Sequence, residues 1–404
     1  MLSRDLGEER MTVHYELPTT ADFAALAGPH HPAITVYAST SPVVSERERA
    51  EVAVKSAFDE AIEQVKASGA STAELEALRR ARDGIIADQE LWAGLARSLA
   101  IFVAPDFTEV FVLPNQLDDA LHVGSHFTLG QLLRAPSQDQ EAYAVAVSAN
   151  EWTLWHATPT DRAAQMPTDP SLPKNADEAA NREAGDAGTR RVGGHGDRGA
   201  SEDDRRASTL DIYAKRVADA VRQELQVHDP GDRVPLFVFA AEPTLSQFIE
   251  RARNHRRVVA VPGAPDRLGP SEIDEAVRHQ LAALNISEAD AALHGLAEGS
   301  AGRVERDLAA IGRLAADGAV ETLWFDFTTS VNGTLDQESG AIEFATGNGE
   351  GDALHDGTHA GDLLPQLALL VIAKGGKVVT VRSDDLDGNV WSGPAMAELR
   401  FALA

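Results

Sequence analysis

Tyr143-Ala144-Val145-Ala146-Val147-Ser148-Ala149-Asn150-Glu151-Trp152-Thr153-Leu154-Trp155 is the stretch whose reading decides the fold. Two runs of small, β-branched and aromatic residues flank Ala149-Asn150-Glu151, which is the pattern of a β-hairpin with Asn150 in its turn. Further along, Leu236-Phe237-Val238-Phe239 reads as a strand, Thr244 to Arg253 as a helix, and Arg257-Val258-Val259-Ala260-Val261 as another strand. Strand, helix, strand in that order implies a parallel crossover and hence a layered α/β sheet. The hairpin extends that sheet. Leu210, Tyr213, Val217, Val221 and Leu225 mark one face of an amphipathic helix that begins at Ser208, just ahead of the crossover.

Between the hairpin and this helix runs a polar insertion from Pro167 to Ala207, in which Leu172 and Val192 are the large aliphatic residues. Such a segment has too little apolar surface to offset the entropy of ordering it, so a mobile loop is expected over 167–207. It contains Arg190-Arg191-Val192-Gly193-Gly194-His195-Gly196-Asp197. A glycine pair admits backbone conformations and close approaches that other residues do not. Arg182, Arg190, Arg191, Arg198, Arg205 and Arg206 can neutralise phosphates, whereas Asp177, Glu178, Glu183, Asp186, Asp197 and Asp203 dilute that charge. The plainer reading is a mixed-charge solvated connector.

Outside this middle region the chain is again α/β. Pro32-Ala33-Ile34-Thr35-Val36-Tyr37 is a strand, and Val54, Phe58, Ile62 and Val65 recur at helical spacing before Gly69. Ser71 and Glu74 have capping-box spacing for a second helix carrying Leu75, Leu78 and Ile85 inward. Strands follow at 99–103, 109–113 and 121–123. In the last third, a helix runs from Ser271 to about Leu284, and another is lined by Val304, Leu308, Ile311 and Leu314. Val320 to Phe325 is a strand, Leu363 to Ile372 a buried helix, and Lys377 to Val381 a strand. Leu399-Arg400-Phe401-Ala402-Leu403 reads as a closing edge strand.

Composition excludes several functions. At 404 residues two or three domains are expected. A net charge of -27 argues against a general nucleic-acid coat, because non-specific phosphate binding is driven by Lys and Arg. The absence of cysteine removes disulfides, thiolate catalysis and Cys-ligated zinc. No run reaches the roughly 18 apolar residues of a membrane span, and no signal pattern opens the chain, so a cytoplasmic protein without membrane partners is expected.

Individual motifs point the same way. His355 and His359 are spaced for zinc on a helix, but Gly357 between them disfavours one and no general-base glutamate accompanies them. His30-His31-Pro32 reads as a strand entry. The hairpin strands carry no carboxylates for a two-metal nuclease, and neither a phosphate-binding Gly-rich loop with Lys-[Ser/Thr] nor Gly-x-Ser-x-Gly occurs. Trp152 and Trp155 stand at i and i+3, which puts them on opposite faces of a strand and favours packing over base stacking.

The order of these parts resembles the bacterial relatives of the archaeo-eukaryotic peptide chain release factor and of Pelota. The opening strand at 32–37, the hairpin at 143–155, Gly193-Gly194 ahead of a long helix, and Lys374-Gly375-Gly376-Lys377-Val378 with Leu399-Arg400-Phe401 carry the resemblance. It implies a divergent N-terminal α/β domain (1–136), a ribonuclease H-like middle domain of mixed sheet and helices (137–265), and a C-terminal α/β/α domain (266–404) like the ribosomal proteins that bind kinked RNA. It further implies a ribosome-associated translation factor acting in the A site in release, rescue or hibernation, with the tRNA acceptor region and a delivery factor as partners. Gly193, Gly194 and His195 would form the tip, and Arg190, Arg191 and Arg198 would contact RNA. In the family the loop carries Gly-Gly-Gln. Here His195 replaces the glutamine, exchanging an amide that donates and accepts at once for an imidazole whose role depends on tautomer and charge. Hydrolysis of a peptidyl-tRNA ester is therefore left open, and no cofactor or metal is expected. The alternative is a non-catalytic α/β protein that binds a small ligand or a protein, with the loop as a linker.

Overall fold

The computed structural model describes residues 2–5, 10–42, 44–159, 161–169, 171–179, 202–252, 257–299, 302–345, 361–386, 388 and 390–402. The chain forms two compact units, one made of Met1–Asp139 together with Ala282–Ala404, the other of Gln140–Leu281.

The first segment of the first unit contains β1 (Leu2–Asp5), β2 (Arg10–His14), α1 (Thr20–Leu26), β3 (Ala33–Ser39), α2 (Arg47–Ala67), α3 (Thr72–Ala87), α4 (Gln89–Ala93), β4 (Ser98–Ala104), β5 (Phe107–Leu113), β6 (Ala120–Gly124) and the short α5 (Arg134–Ser137). Its six strands lie in the order β1-β2-β5-β4-β3-β6. Helix α2 forms where Val54, Phe58, Ile62 and Val65 make one buried stripe, and Gly69, at φ +91, follows its end. The Ser71–Glu74 capping box is present in full at the start of α3. The two helices cover one face of the sheet through Val36, Ile101, Val103 and Val110. Two strands and a helix at the start of the chain, β1, β2 and α1, add to the elements expected from the sequence. Strand β2 is short of large apolar residues because two of its buried positions are Thr12 and His14, and His14 is satisfied by Glu109 at 2.5 Å and by stacking on Phe111 at 4.3 Å.

The second unit contains β7 (Ala142–Val147), β8 (Trp152–Ala157), β9 (Ala164–Gln165), α6 (Glu202–His228), β10 (Leu236–Ala240), α7 (Thr244–Ala252), β11 (Val258–Pro262) and the first turns of α8 (Pro270–Gly299). The sheet order is β11-β10-β7-β8-β9, with β7, β10 and β11 parallel and β8 antiparallel to both its neighbours. Hairpin first, crossover second, with the second crossover strand outermost, is the ribonuclease H-like arrangement. Alternation along the strands sets the layers. Tyr143, Val145, Val147, Trp152 and Leu154 pack against Tyr213, Val217, Val221 and Leu225 of α6 and Phe248 of α7.

The insertion is shorter than expected at both ends. Leu172, Ala176 and Ala179 pack into this core, and α6 already begins at Glu202 rather than Ser208. Polar composition concealed the first part because its ordering rests on small residues and backbone hydrogen bonds.

The last segment of the first unit contributes the remainder of α8, β12 (Val304–Glu305), α9 (Leu308–Ala316), β13 (Val320–Asp326), β14 (Asn332–Leu335), β15 (Ile342–Phe344), β16 (Gly361–Asp362), α10 (Leu363–Ala373), β17 (Lys377–Val381) and β18 (Ala395–Leu399). Its main sheet runs β12-β18-β13-β17, and β14, β15 and β16 form a small separate sheet. Leu308, Ile311, Leu323, Phe325, Leu364 and Leu367 share one hydrophobic core with Phe23, Tyr37, Phe102, Phe111 and Leu132 of the first segment.

Three expectations change here. The closing strand ends at Leu399 and lies between β12 and β13 rather than at an edge, because Ala395, Met396, Ala397 and Leu399 are all buried. Val304 belongs to β12, since Asp307 caps α9 and starts it at Leu308. Helix α8 continues to Gly299 because Leu293 and Leu296 pack with Trp324, Trp391 and Met396.

Candidate functional site

The inserted segment is carried at one edge of the second unit's sheet. The hairpin turn there is closed by Ser148, whose backbone N–H donates to Glu151 O at 2.9 Å while its hydroxyl accepts from the N–H groups of Asn150 and Glu151 at 3.2 and 3.1 Å. One hydroxyl thus satisfies two turn amides, which is why a serine suits this corner. The start of the insertion is then tied to the turn and to α6. Ala176 N–H donates to Ala149 O at 3.0 Å, the Trp152 indole donates to Pro173 O at 3.1 Å, and the Tyr213 hydroxyl donates to Lys174 O at 3.2 Å. Asn175 accepts from Glu178 N–H at 2.9 Å and opens a short helical turn through Ala179. Burial, assisted by Glu151, Asp266 and Glu178, holds the Tyr213 phenol above its ordinary pKa, so it remains a neutral donor.

A cleft of about 440 Å³ opens at this edge, lined by Ser148, Ala149, Leu210, Glu242, Thr244 and Asp266 among others. It lies at the carboxyl ends of β7, β10 and β11, the position where open α/β sheets expose loops and helix starts to ligands. Its charged lining residues, Glu242 and Asp266, are both acidic, and Glu242 is engaged by the Ser246 hydroxyl at 2.9 Å. A phosphate would be repelled from this floor.

Below the same unit, Asp274 and Arg278 of α8 form a buried pair at 3.6 Å. Arg278 also donates to Gln140 O at 2.6 Å, Thr158 O at 2.7 Å and Asp161 O at 2.8 Å, and Asp274 accepts from Ala163 N–H at 2.7 Å. The pair holds the strand ends of β7 and β8 in place. Sequence reading missed it, although an acid–base i,i+4 pair beside the buried stripe Ile273, Val277, Leu281 is a recognisable signal.

Gly193, Gly194, His195, Arg190, Arg191 and Arg198 lie outside the described residues, as do His355 and His359. Trp152 and Trp155 are both buried, on opposite faces of the sheet. His30 stacks between Phe107 at 4.9 Å and Phe127 at 4.6 Å, and burial lowers its pKa; it packs as part of the strand entry. Among the described residues no group of three or more His, Cys, Asp or Glu is placed to hold a metal ion, and no helix is long and apolar enough to cross a membrane.

Sheet order and insertion define the class: an α/β protein with a hairpin-led, ribonuclease H-like sheet that carries an inserted segment where its parallel strands end. Residues 143–319 match the model of bacterial archaeo-eukaryotic release factor family 3. Among solved structures the chain is similar to the archaeal translation termination factor aRF1 (13% identity, 95% of this chain and 99% of that one, TM-score 0.24). It is similar also to Pelota of Archaeoglobus fulgidus (15%, 75% and 79%, TM-score 0.33) and to Dom34 of S. cerevisiae (10%, 76% and 74%, TM-score 0.31). A comparison with curated proteins gave no match.

Proposed function

We propose that the protein is a cytoplasmic, ribosome-associated translation factor of release-factor architecture that acts in the A site, in release, rescue or hibernation. The family match over residues 143–319 is the observation that carries this reading. In it, the divisions at residues 136 and 265 mark units of descent, and a delivery protein brings the factor to the ribosome. Gly193-Gly194-His195 is the tip directed at the tRNA acceptor region, and Arg190, Arg191 and Arg198 contact phosphates.

The frame around the insertion supports the proposal: the Ser148 turn, the Ala149–Ala176 bond and the Tyr213–Lys174 bond hold its start at one sheet edge. The acidic cleft floor favours a division of labour in which the tip arginines bind and the floor does not. Chemistry at the tip turns on His195. A neutral imidazole can orient water through one nitrogen while donating through the other, so release activity requires a defined tautomer.

Co-sedimentation with ribosomes in a sucrose gradient tests the reading, comparing the wild type with a deletion of Gly185 to Gly199. The wild type is expected to move with ribosomes and the deletion to lose most of that association. If neither sediments with ribosomes, the protein is better read as a non-catalytic α/β binding protein, and the acidic cleft becomes its candidate site. Release of peptide from a model peptidyl-tRNA, lost in His195→Ala, would assign hydrolysis to the tip; turnover unaffected by His195→Ala would remove it.

A further inference from the structure

The first unit contains a second cavity, of about 250 Å³, whose wall joins its two segments. Arg134 and Ser137 come from α5, Trp324 and Phe327 from the end of β13 and the residue after it, Thr380 from β17, and Arg382 from the residue following that strand. The Arg134 guanidinium lies 4.3 Å from the centre of the Phe327 ring, and that of Arg382 5.2 Å from the same centre. The two arginines differ in how they are neutralised. Arg382 pairs with Asp118 and with Asp385 at 3.8 Å. Arg134 is half-buried, and its enclosed Nε and Nη1 have no hydrogen-bond partner among the described residues. Trp324, 5% exposed, likewise leaves its indole Nε1 without a partner. Ser137 and Thr380 satisfy each other at 2.8 Å.

The unmatched groups of this wall are all donors, and one bears a full positive charge. Enclosed N–H donors left without an acceptor cost stability, so this wall is completed by an acceptor in the cavity. Water supplies an acceptor but no charge. Asp139, Glu288 and Asp385 on the same wall disfavour a polyanion, which would meet three carboxylates for its two arginines. The rings of Trp324 and Phe327 suit an apolar body.

We propose that this cavity binds a small monocarboxylate, its carboxylate taken by Arg134 and the Trp324 indole N–H and its apolar part laid against Trp324 and Phe327. Both segments of the unit contribute to the site, so the ligand stabilises that unit by mass action. The site does not depend on the ribosomal reading.

Benzoate is the probe and benzamide its neutral control, both titrated against the full chain by ligand-observed NMR and by thermal shift. Saturable benzoate binding with a raised Tm, at least tenfold weaker in Arg134→Gln and absent with benzamide, is expected; charge-assisted hydrogen bonds have about that effect on affinity. Benzoate binding that survives Arg134→Gln, equal binding of benzamide, or no benzoate binding at about 10 mM, a Kd at which a ligand gains only some 3 kcal/mol, each overturns the proposal. Should Arg134→Gln fail to fold, Trp324→Phe decides: unchanged benzoate affinity in that variant overturns it.

Discussion

Arg278 shows how much one side chain can organise. Its guanidinium is buried, pairs with Asp274 and closes three backbone carbonyls from the ends of β7 and β8. Replacing it with glutamine leaves the Asp274 carboxylate buried without its cation and at least one carbonyl unsatisfied. Arg278→Gln is therefore expected to destabilise the chain by roughly 3–5 kcal/mol, the usual cost of breaking a buried pair from one side; urea unfolding followed by circular dichroism measures it. Asp326, 3% exposed, offers a pH test. Burial pushes its carboxyl up, but hydrogen bonds from Thr328 and Ser383 together outweigh burial and hold it below the usual carboxylate range. A depressed folded-state pKa contributes stability above the unfolded value of about 4 and loses it as pH falls through the folded value. Asp326→Asn should thus be less stable than the wild type near neutral pH, and the gap should narrow in urea titrations carried below the carboxylate range.

Elements meet closely where glycine permits it. Gly312 sits in α9 with the Gly340 carbonyl so near that a Cβ on Gly312 would stand 2.4 Å from that oxygen. Gly340 is itself at φ +69, a region that side chains avoid. In an open helix Gly→Ala gains up to about 1 kcal/mol of propensity. Here the backbone contact cannot yield as a side chain would, so Gly312→Ala is expected to be net destabilising by about 1–3 kcal/mol, the range of overpacking, read as a lowered urea midpoint with unchanged slope. The same helices show what local patterning can and cannot reveal. Helix α3 was legible from Ser71, Glu74 and its apolar stripe, because capping and periodicity are properties of neighbouring residues. Helix α8 was read as ending near Leu284, because its second half is specified by Trp324, Trp391 and Met396, which are distant in sequence. Strand β2 was missed for the same reason: His14 is tolerable in a strand interior only with Glu109 and Phe111 beside it.

Across the whole molecule, the charge of -27 and the proposed ribosomal role are compatible only if positive charge is concentrated. The described cleft of the second unit carries no such concentration, and its floor is acidic. The order Gly193-Gly194-His195 beside arginines can be read without a fold, because glycine pairs and charge clusters are local, and it lies outside the described residues. The frame at the start of the insertion could not be read so, since Ser148, Ala149, Lys174 and Tyr213 meet only when the hairpin, residues 171–179 and α6 are brought together. By itself the sequence determined the α/β class, the hairpin-led middle sheet and most helix and strand positions, all of which rest on periodicity, caps and motif order. Tertiary structure alone decided that the first and last segments share one core, that β18 lies inside its sheet, and that Arg134 and Trp324 bring unpartnered N–H groups to one cavity wall. Those facts depend on which distant surfaces meet, and pairing between remote residues leaves no local period to read.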